Sequence, residues 1–374
     1  MSSGKSFLSW AEIDLKALRD NFLNLRKYLP PQVKILVTVK KDAYGHGILE
    51  ISRELQKLGC DFLGINGIEE AQILRKNNIT LPILNLGLIL DKYQAEEILR
   101  LNVSQTVSSI KICKILNGLA SKFKKRQAVH LKIDTGMRRL GIHIKKLKSF
   151  LKEFKKFENL YLEGVFTHFP SADIDKEFTL AQIREFKKII KDMEESGFHP
   201  KFYHSSNSAG LLRFKKAYFN MVRPGLLIYG INPLDKKIGL DLKPVMSVKS
   251  RVIFERIVNK GEGISYHQTY IAKRRMKVYT IAIGYGDGLP FLLSNRGRVL
   301  IKDKFYKIVG RVCMDFIMCK APLKENIKIG QEVIIMGKSM NKEIRCQDIA
   351  KLAQTIPYEI LCRFGSSLKR KYIK

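Results

Sequence analysis

At 374 residues the chain is long enough to bury more than one core, and the length suggests two domains or three. With 45% hydrophobic and 28% charged residues it has a globular composition, which excludes a disordered or fibrous protein. The formal charge of +33 raises nucleic acid as a partner, but the lysines are spread at helical spacing through segments such as KKLKSFLKEFKKF, KFKKRQ and KRKYIK, with no aromatic-studded basic block; they read as a solvated face, and no nucleic-acid partner is expected.

In chain order, MSSGKSFLSWAEIDL shows no apolar secretory segment, and the expected location is cytoplasmic. The longest apolar runs, such as LPILNLGLIL (81–90), fall short of the roughly 20 residues a membrane span requires, so no membrane partner is expected. From residue 34 to about 231, strand-like runs alternate with amphipathic helical stretches. The strands are KILVTVK (34–40), DFLGING (61–67), LPILNLG (81–87), AVHLKID (128–134), YLEGVFTHF (161–169), KFYHSS (201–206) and MVRPGLLIYG (221–230). ILEISRELQKLG, IEEAQILRKN, KYQAEEILRLN and DKEFTLAQIREFKKIIKDMEESG are the clearest helices. This alternation implies a parallel sheet, and about eight units in about 230 residues fit a (β/α)₈ barrel better than an open sheet. No GxGxxG follows a strand, which weighs against a dinucleotide fold.

After KPV at 243–245 the rhythm becomes strand after strand, with one helical pattern, CQDIAKLAQ. The expected fold is therefore α/β: an N-terminal (β/α)₈ barrel over residues 1–240 and a mainly antiparallel C-terminal β domain over 241–374. The six cysteines form no CxxC pair and read as core residues, and no metal site is expected.

Catalytic groups of a barrel gather where strands end. Those places hold Lys40 and Tyr44; Asp134, Thr135, Gly136 and Arg139; His168; Asn207 and Ser208; and Arg223 with Gly225. A lysine amine in a dry pocket is a nucleophile toward aldehydes. Pyridoxal 5′-phosphate would need such a lysine, a partner for its ring nitrogen and a phosphate cradle. Ser208, Tyr44 and the amides at Gly225 are suitable groups for a phosphate.

Read whole, VKKDAYGHG, HLKIDTGMRRLGI, GVFTHF, NSAGLLRF, MVRPGLLIYG, ISYHQTY, AIGYGDG, GRVCMD and TIPYE resemble, in order and spacing, the motifs of alanine racemase, and the likeness runs from WAEIDLKALRDN nearly to the C-terminus. The resemblance implies a fold-type III enzyme dependent on pyridoxal phosphate. It would interconvert L- and D-alanine for peptidoglycan, as a homodimer in which the C-terminal domain completes the partner subunit's active site.

The resemblance makes Lys40 the Schiff-base lysine and Tyr266 the second acid/base, acting on the opposite face. Arg223 would lie beside the pyridine nitrogen, where related decarboxylases use a carboxylate. Arg139 and Met314 would bind the substrate carboxylate. Lys132 would be carbamylated to brace Arg139. His168 would lie against the cofactor ring. Tyr44, Ser208, Gly225, Leu226 and Tyr358 would hold the phosphate, with Asn207 in the wall. Tyr285 would narrow the entrance and Asp315 would stiffen the Met314 loop. By strand alternation Lys41 is expected to point away from Lys40. Lys41, His267 and Ser367 depart from the family's usual small residue, glycine and arginine.

Three other readings compete. A broader-specificity amino-acid racemase shares the fold. A non-catalytic pyridoxal-phosphate-binding regulator shares the barrel but lacks the β domain. A nucleic-acid-binding protein rests on charge alone. A visible absorbance band separates the first two from the third, and a chiral product assay over the common amino acids separates alanine from broader specificity.

Overall fold

The structure, a computed structural model, describes residues 7–234 and 236–374. The first six residues, which enter the reading of the N-terminus, lie outside the described residues. The described residues divide into two compact units, one of residues 19–43 and 48–242, the other of 7–18, 44–47 and 243–374.

The first unit is a closed parallel barrel. Its strands are Lys34–Thr38, Phe62–Ile65, Ile83–Asn85, Ser104–Val107, Gln127–Asp134, Leu160–Phe166, Phe202–His204 and Met221–Val222. The last pairs back on the first through Met221↔Lys34 and Val222↔Ile35. Leu36, Phe62, Leu84, Phe202 and Met221 form an apolar cluster inside this unit.

Seven of the eight strands follow apolar or β-branched runs. Ser104–Val107, SQTV, does not, and it was missed by hydropathy because polar partners inside the barrel satisfy its side chains. Asn85 donates to Gln105 Oε1 at 2.9 Å, and Thr106 Oγ1 donates to the Asn85 carbonyl at 2.6 Å. The strand expected over 221–230 stops at Val222, where Pro224 cannot donate to a ladder, and turns follow. The helices between strands carry side-chain caps that their sequences advertise. Asp91, Asp175 and Asn207 accept from the amides of Gln94, Phe178 and Gly210.

The second unit holds a mainly antiparallel sheet around the long strand Met246–Val258, which pairs with Ser9–Asp14, Met276–Ile281 and Glu332–Ser339. Arg370–Ile373 pairs parallel with Ser9–Asp14. The strand at the start of the chain thus lies in the C-terminal sheet. A second helix, Pro357–Ser367, follows the expected one at Cys346–Leu352. Residues 44–47 lie against it. A Cβ at Gly45 (φ 82°) would come within 2.6 Å of the Leu361 carbonyl oxygen, so only glycine fits there. Among the described residues no helix is long and apolar enough to cross a membrane, and no group of three or more His, Cys, Asp or Glu is placed to hold a metal ion.

Candidate active site

The strand Lys34–Thr38 ends two residues before Lys40, so strand alternation does not reach the lysine pair, and the argument that separated them requires correction. From Lys41 to Tyr44 the backbone instead winds left-handed, with φ of 52–54° at all four residues. Such a conformation costs an L-residue about 1–2 kcal/mol each, and strain of this kind persists only where the surroundings over-determine it. Here the Ala43 amide donates to Val39 O at 2.7 Å, and Asp42 Oδ1 accepts from the Ile48 amide at 2.6 Å, starting the next helix. Lys40 is partly buried and Lys41 is exposed.

The remaining groups of the barrel unit stand just past the ends of other strands. Arg223 is 5% exposed and hydrogen-bonds on three sides: Nη1 to His204 Nδ1 at 2.7 Å, and Nη2 to the Thr167 and Ser205 carbonyls at 2.6 and 3.0 Å. Burial pushes its guanidinium down to about 9, still charged at neutral pH. Ser208 Oγ accepts from the Gly225 amide at 2.9 Å, joining two of the expected phosphate ligands. Leu226 is buried in the following turn. Asn207 caps the helix begun by Ser208 and donates to Phe169 O at 3.1 Å.

Electrostatics tie the rest together. His168 is held well below the ordinary imidazole value, by burial first and then by the charges of Arg223, Arg139, Lys132 and Lys40. Lys132, 4% exposed, is pushed down to about 8, again by burial first and then by Arg139, Arg223 and Lys40, with Asp134 opposing. Four cations therefore converge around one neutral imidazole. That donor set fits a polyanionic group carrying phosphate and phenolate oxygens.

The second unit carries two further groupings. Tyr44 and Tyr358 lie with ring centroids 5.5 Å apart, Tyr44 buried and Tyr358 at the start of its helix. Tyr266, Tyr285 and Met314 are 66, 41 and 55% exposed, large side chains standing clear of the subunit's own core. Their loops are pinned to one another. The Tyr285 amide donates to Cys313 O and the Gly286 amide to Met314 O, both at 2.9 Å. Ser265 Oγ donates to Arg311 O at 2.8 Å, and Asn295 bonds both Gly310 and Thr269. Asp315 lies exposed in the same turn as Met314.

His267 has φ 57° and ψ 15°, so histidine occupies a left-handed backbone that favours glycine. For His267→Gly, relief of roughly 1 kcal/mol of left-handed strain is offset by a similar gain in unfolded-chain freedom, so the thermal midpoint should hardly move. His267→Val, β-branched at positive φ, should displace the neighbouring Tyr266 and lower turnover. Thermal melts beside steady-state rates check both.

Three groups escaped the sequence reading: His130, His204 and Glu163. His130 lies two residues before Lys132 in one strand, so alternation puts both on the same face. That spacing was the available signal.

Similarity to known proteins extends over nearly the whole chain. Residues 13–233 match the alanine racemase N-terminal domain family and residues 245–372 the alanine racemase C-terminal domain family. An alanine racemase of Halothermothrix orenii is 38% identical over 366 residues, covering 97% of this chain and 96% of that protein. The structure of alanine racemase from Clostridium difficile 630 superposes with a TM-score of 0.91 at 36% identity, covering 99% of this chain and 97% of the other. Alanine racemase from Bartonella henselae, with covalently bound pyridoxal phosphate, superposes with a TM-score of 0.88 at 28% identity, covering 98% and 100%. The chain belongs to the alanine racemase family and is a racemase, an isomerase.

Proposed function

We propose that this enzyme interconverts L- and D-alanine with pyridoxal 5′-phosphate held covalently through Lys40 Nζ, and that it supplies D-alanine for peptidoglycan. The observation carrying this reading is the convergence of Lys40, Lys132, Arg139 and Arg223 on the neutral His168. When bound, the cofactor supplies an electron sink for negative charge at the substrate Cα. Ser208, Gly225, Leu226, Tyr44 and Tyr358 would hold its phosphate, Asn207 would line the wall, and His168 would lie against its ring.

Arg223 can only donate hydrogen bonds. At the ring nitrogen it offers a hydrogen bond and keeps its proton, which limits electron withdrawal and restrains side reactions. Arg139 and the Met314 amide would orient the substrate carboxylate, Asp315 would stiffen the Met314 turn, and Tyr285 would narrow the entrance. Lys40 Nζ would remove or return the Cα proton on one face and Tyr266 Oη on the other, since a single base serves one face only. The exposure of Tyr266 and Met314 on their own subunit supports a homodimer in which the C-terminal domain completes the partner's barrel. Purified enzyme should show a visible cofactor band and racemise alanine in a chiral product assay. Faster turnover of serine or a basic amino acid would favour the broader-specificity alternative.

Lys132 makes a prediction with a definite sign. Its folded pKa of about 8 lies below the ordinary 10.5, so between those values the unfolded chain binds more protons. Protonated Lys132 therefore costs stability below pH 8, and the cost fades as pH rises toward 10.5. Its neutral amine can attack CO₂, forming an N–C bond and releasing a proton, which leaves a carbamate anion among the cations. Bicarbonate at pH 8 should raise the thermal midpoint of the wild type and leave Lys132→Met unmoved. An equal rise in both would rule out carbamylation at this position.

A further inference from the structure

Behind Arg223 lies a hydrogen-bonded series that can run in only one direction. Arg223 Nη1 is 2.7 Å from His204 Nδ1, His204 Nε2 is 2.9 Å from His130 Nδ1, and His130 Nε2 is 3.1 Å from Glu163 Oε2. Ser104 Oγ donates to the same carboxylate oxygen at 2.6 Å. A guanidinium only donates and a carboxylate only accepts. His204 must therefore accept on Nδ1 and carry its proton on Nε2. His130 must likewise accept on Nδ1 and present its Nε2 proton to Glu163.

We infer that Glu163 is a positioning residue for racemisation: by accepting from His130 Nε2 it closes the far end of the polarity that the Arg223 donor sets, and so holds His204 Nδ1 as a fixed acceptor for Arg223 Nη1. The inference rests on the role proposed for Arg223. A buried His–Glu contact would ordinarily become an ion pair. Here protonating His130 would turn its Nδ1 into a donor, force His204 to carry its proton on Nδ1, and set that N–H against the Arg223 N–H. Two buried donors facing each other lose a hydrogen bond that neither can replace.

The surroundings oppose that reversal. Both imidazoles are fully buried and held below the ordinary value, chiefly by burial, with the Arg223 charge acting in the same direction. Glu163, with Lys201 nearby, pulls His130 the other way. The ring planes are fixed as well. Phe166 stacks on His204 at 4.8 Å and 8°, and a Cβ at Gly164 would sit 2.4 Å from His130 Nδ1. Glycine at 164 leaves the room that the His130 ring fills.

The test is long-range ¹H–¹⁵N correlation on full-length holoenzyme labelled at histidine, with His130 and His204 assigned by single variants. Wild type should show both as neutral Nε2–H tautomers at pH 7. Glu163→Gln still offers an amide oxygen and should keep that pattern. Glu163→Met removes the acceptor and leaves the His130 Nε2 proton unpaired, so its hydrogen-bonded ¹H shift should be lost, and kcat should fall about tenfold, the worth of one hydrogen bond to a charged group, with KM for alanine little changed. Wild-type His204 protonated on Nδ1, or a His130 Nε2–H signal unchanged in Glu163→Met, would overturn the inference. A lost hydrogen bond with unchanged turnover would leave the relay standing and count against the role proposed for Arg223. The wild-type spectrum decides the polarity even if Glu163→Met fails to fold.

Discussion

Lys40→Ala should abolish both the visible cofactor band and racemisation, while Lys41→Ala should keep both. The two lysines are neighbours in sequence and chemically identical, so the contrast isolates position. Lys40 is partly buried at the end of a barrel strand, among the groups that hold His168 neutral. Lys41 is exposed. Borohydride reduction of holoenzyme followed by peptide mapping should place the cofactor on Lys40. Recovery of the label on Lys41 would put the whole site out of register. The effect on rate should span many orders of magnitude, because the substitution removes the covalent anchor and one of the two proton-transfer groups together.

The second large effect belongs to Tyr266. Tyr266→Phe deletes one hydroxyl from a side chain that is 66% exposed, so folding and the cofactor band should survive while racemisation falls by about 10²–10⁴, the contribution of a positioned acid/base. Exchange of the Cα proton for deuterium should persist better for the enantiomer whose proton faces Lys40. Lys40 and Tyr266 belong to different compact units of the chain, and we propose that they meet across a two-fold interface. Mixing inactive Lys40→Ala with inactive Tyr266→Phe protein, under conditions that exchange subunits, should then restore activity. Each heterodimer would contain one site with both groups intact. Heterodimers shown to form without any recovery would defeat the shared-site proposal.

Much of this was legible in the residues because hydropathy reports which side chains leave water. Alternating β-branched and amphipathic segments announced the barrel, and the change of rhythm after residue 243 announced the sheet. The failures share one physical origin, since each element missed is held by contacts that hydropathy does not score. Ser104–Val107 is a barrel strand because Asn85 and the Gly87 carbonyl satisfy Gln105. Ser9–Asp14 joins the C-terminal sheet through partners more than 230 residues away. The His130–His204–Glu163 series depends on three strands meeting in a closed barrel, and no local window contains it. Lys40 was proposed by motif and position, and the alternation argument used for its neighbour did not apply.

The left-handed turn after Lys40 has a consequence for how that segment tolerates change. Lys41, Asp42, Ala43 and Tyr44 are all L-residues, yet each holds the mirror image of the ordinary helical conformation. At Lys41, the one exposed position of the four, chirality rather than size or polarity is therefore the main constraint. An achiral glycine or a D-residue at 41 would be more at ease there than any of the usual conservative replacements, and a β-branched L-residue would be least so. In an enzyme proposed to invert handedness at a substrate carbon, four successive residues beside its lysine hold the positive φ of a left-handed helix.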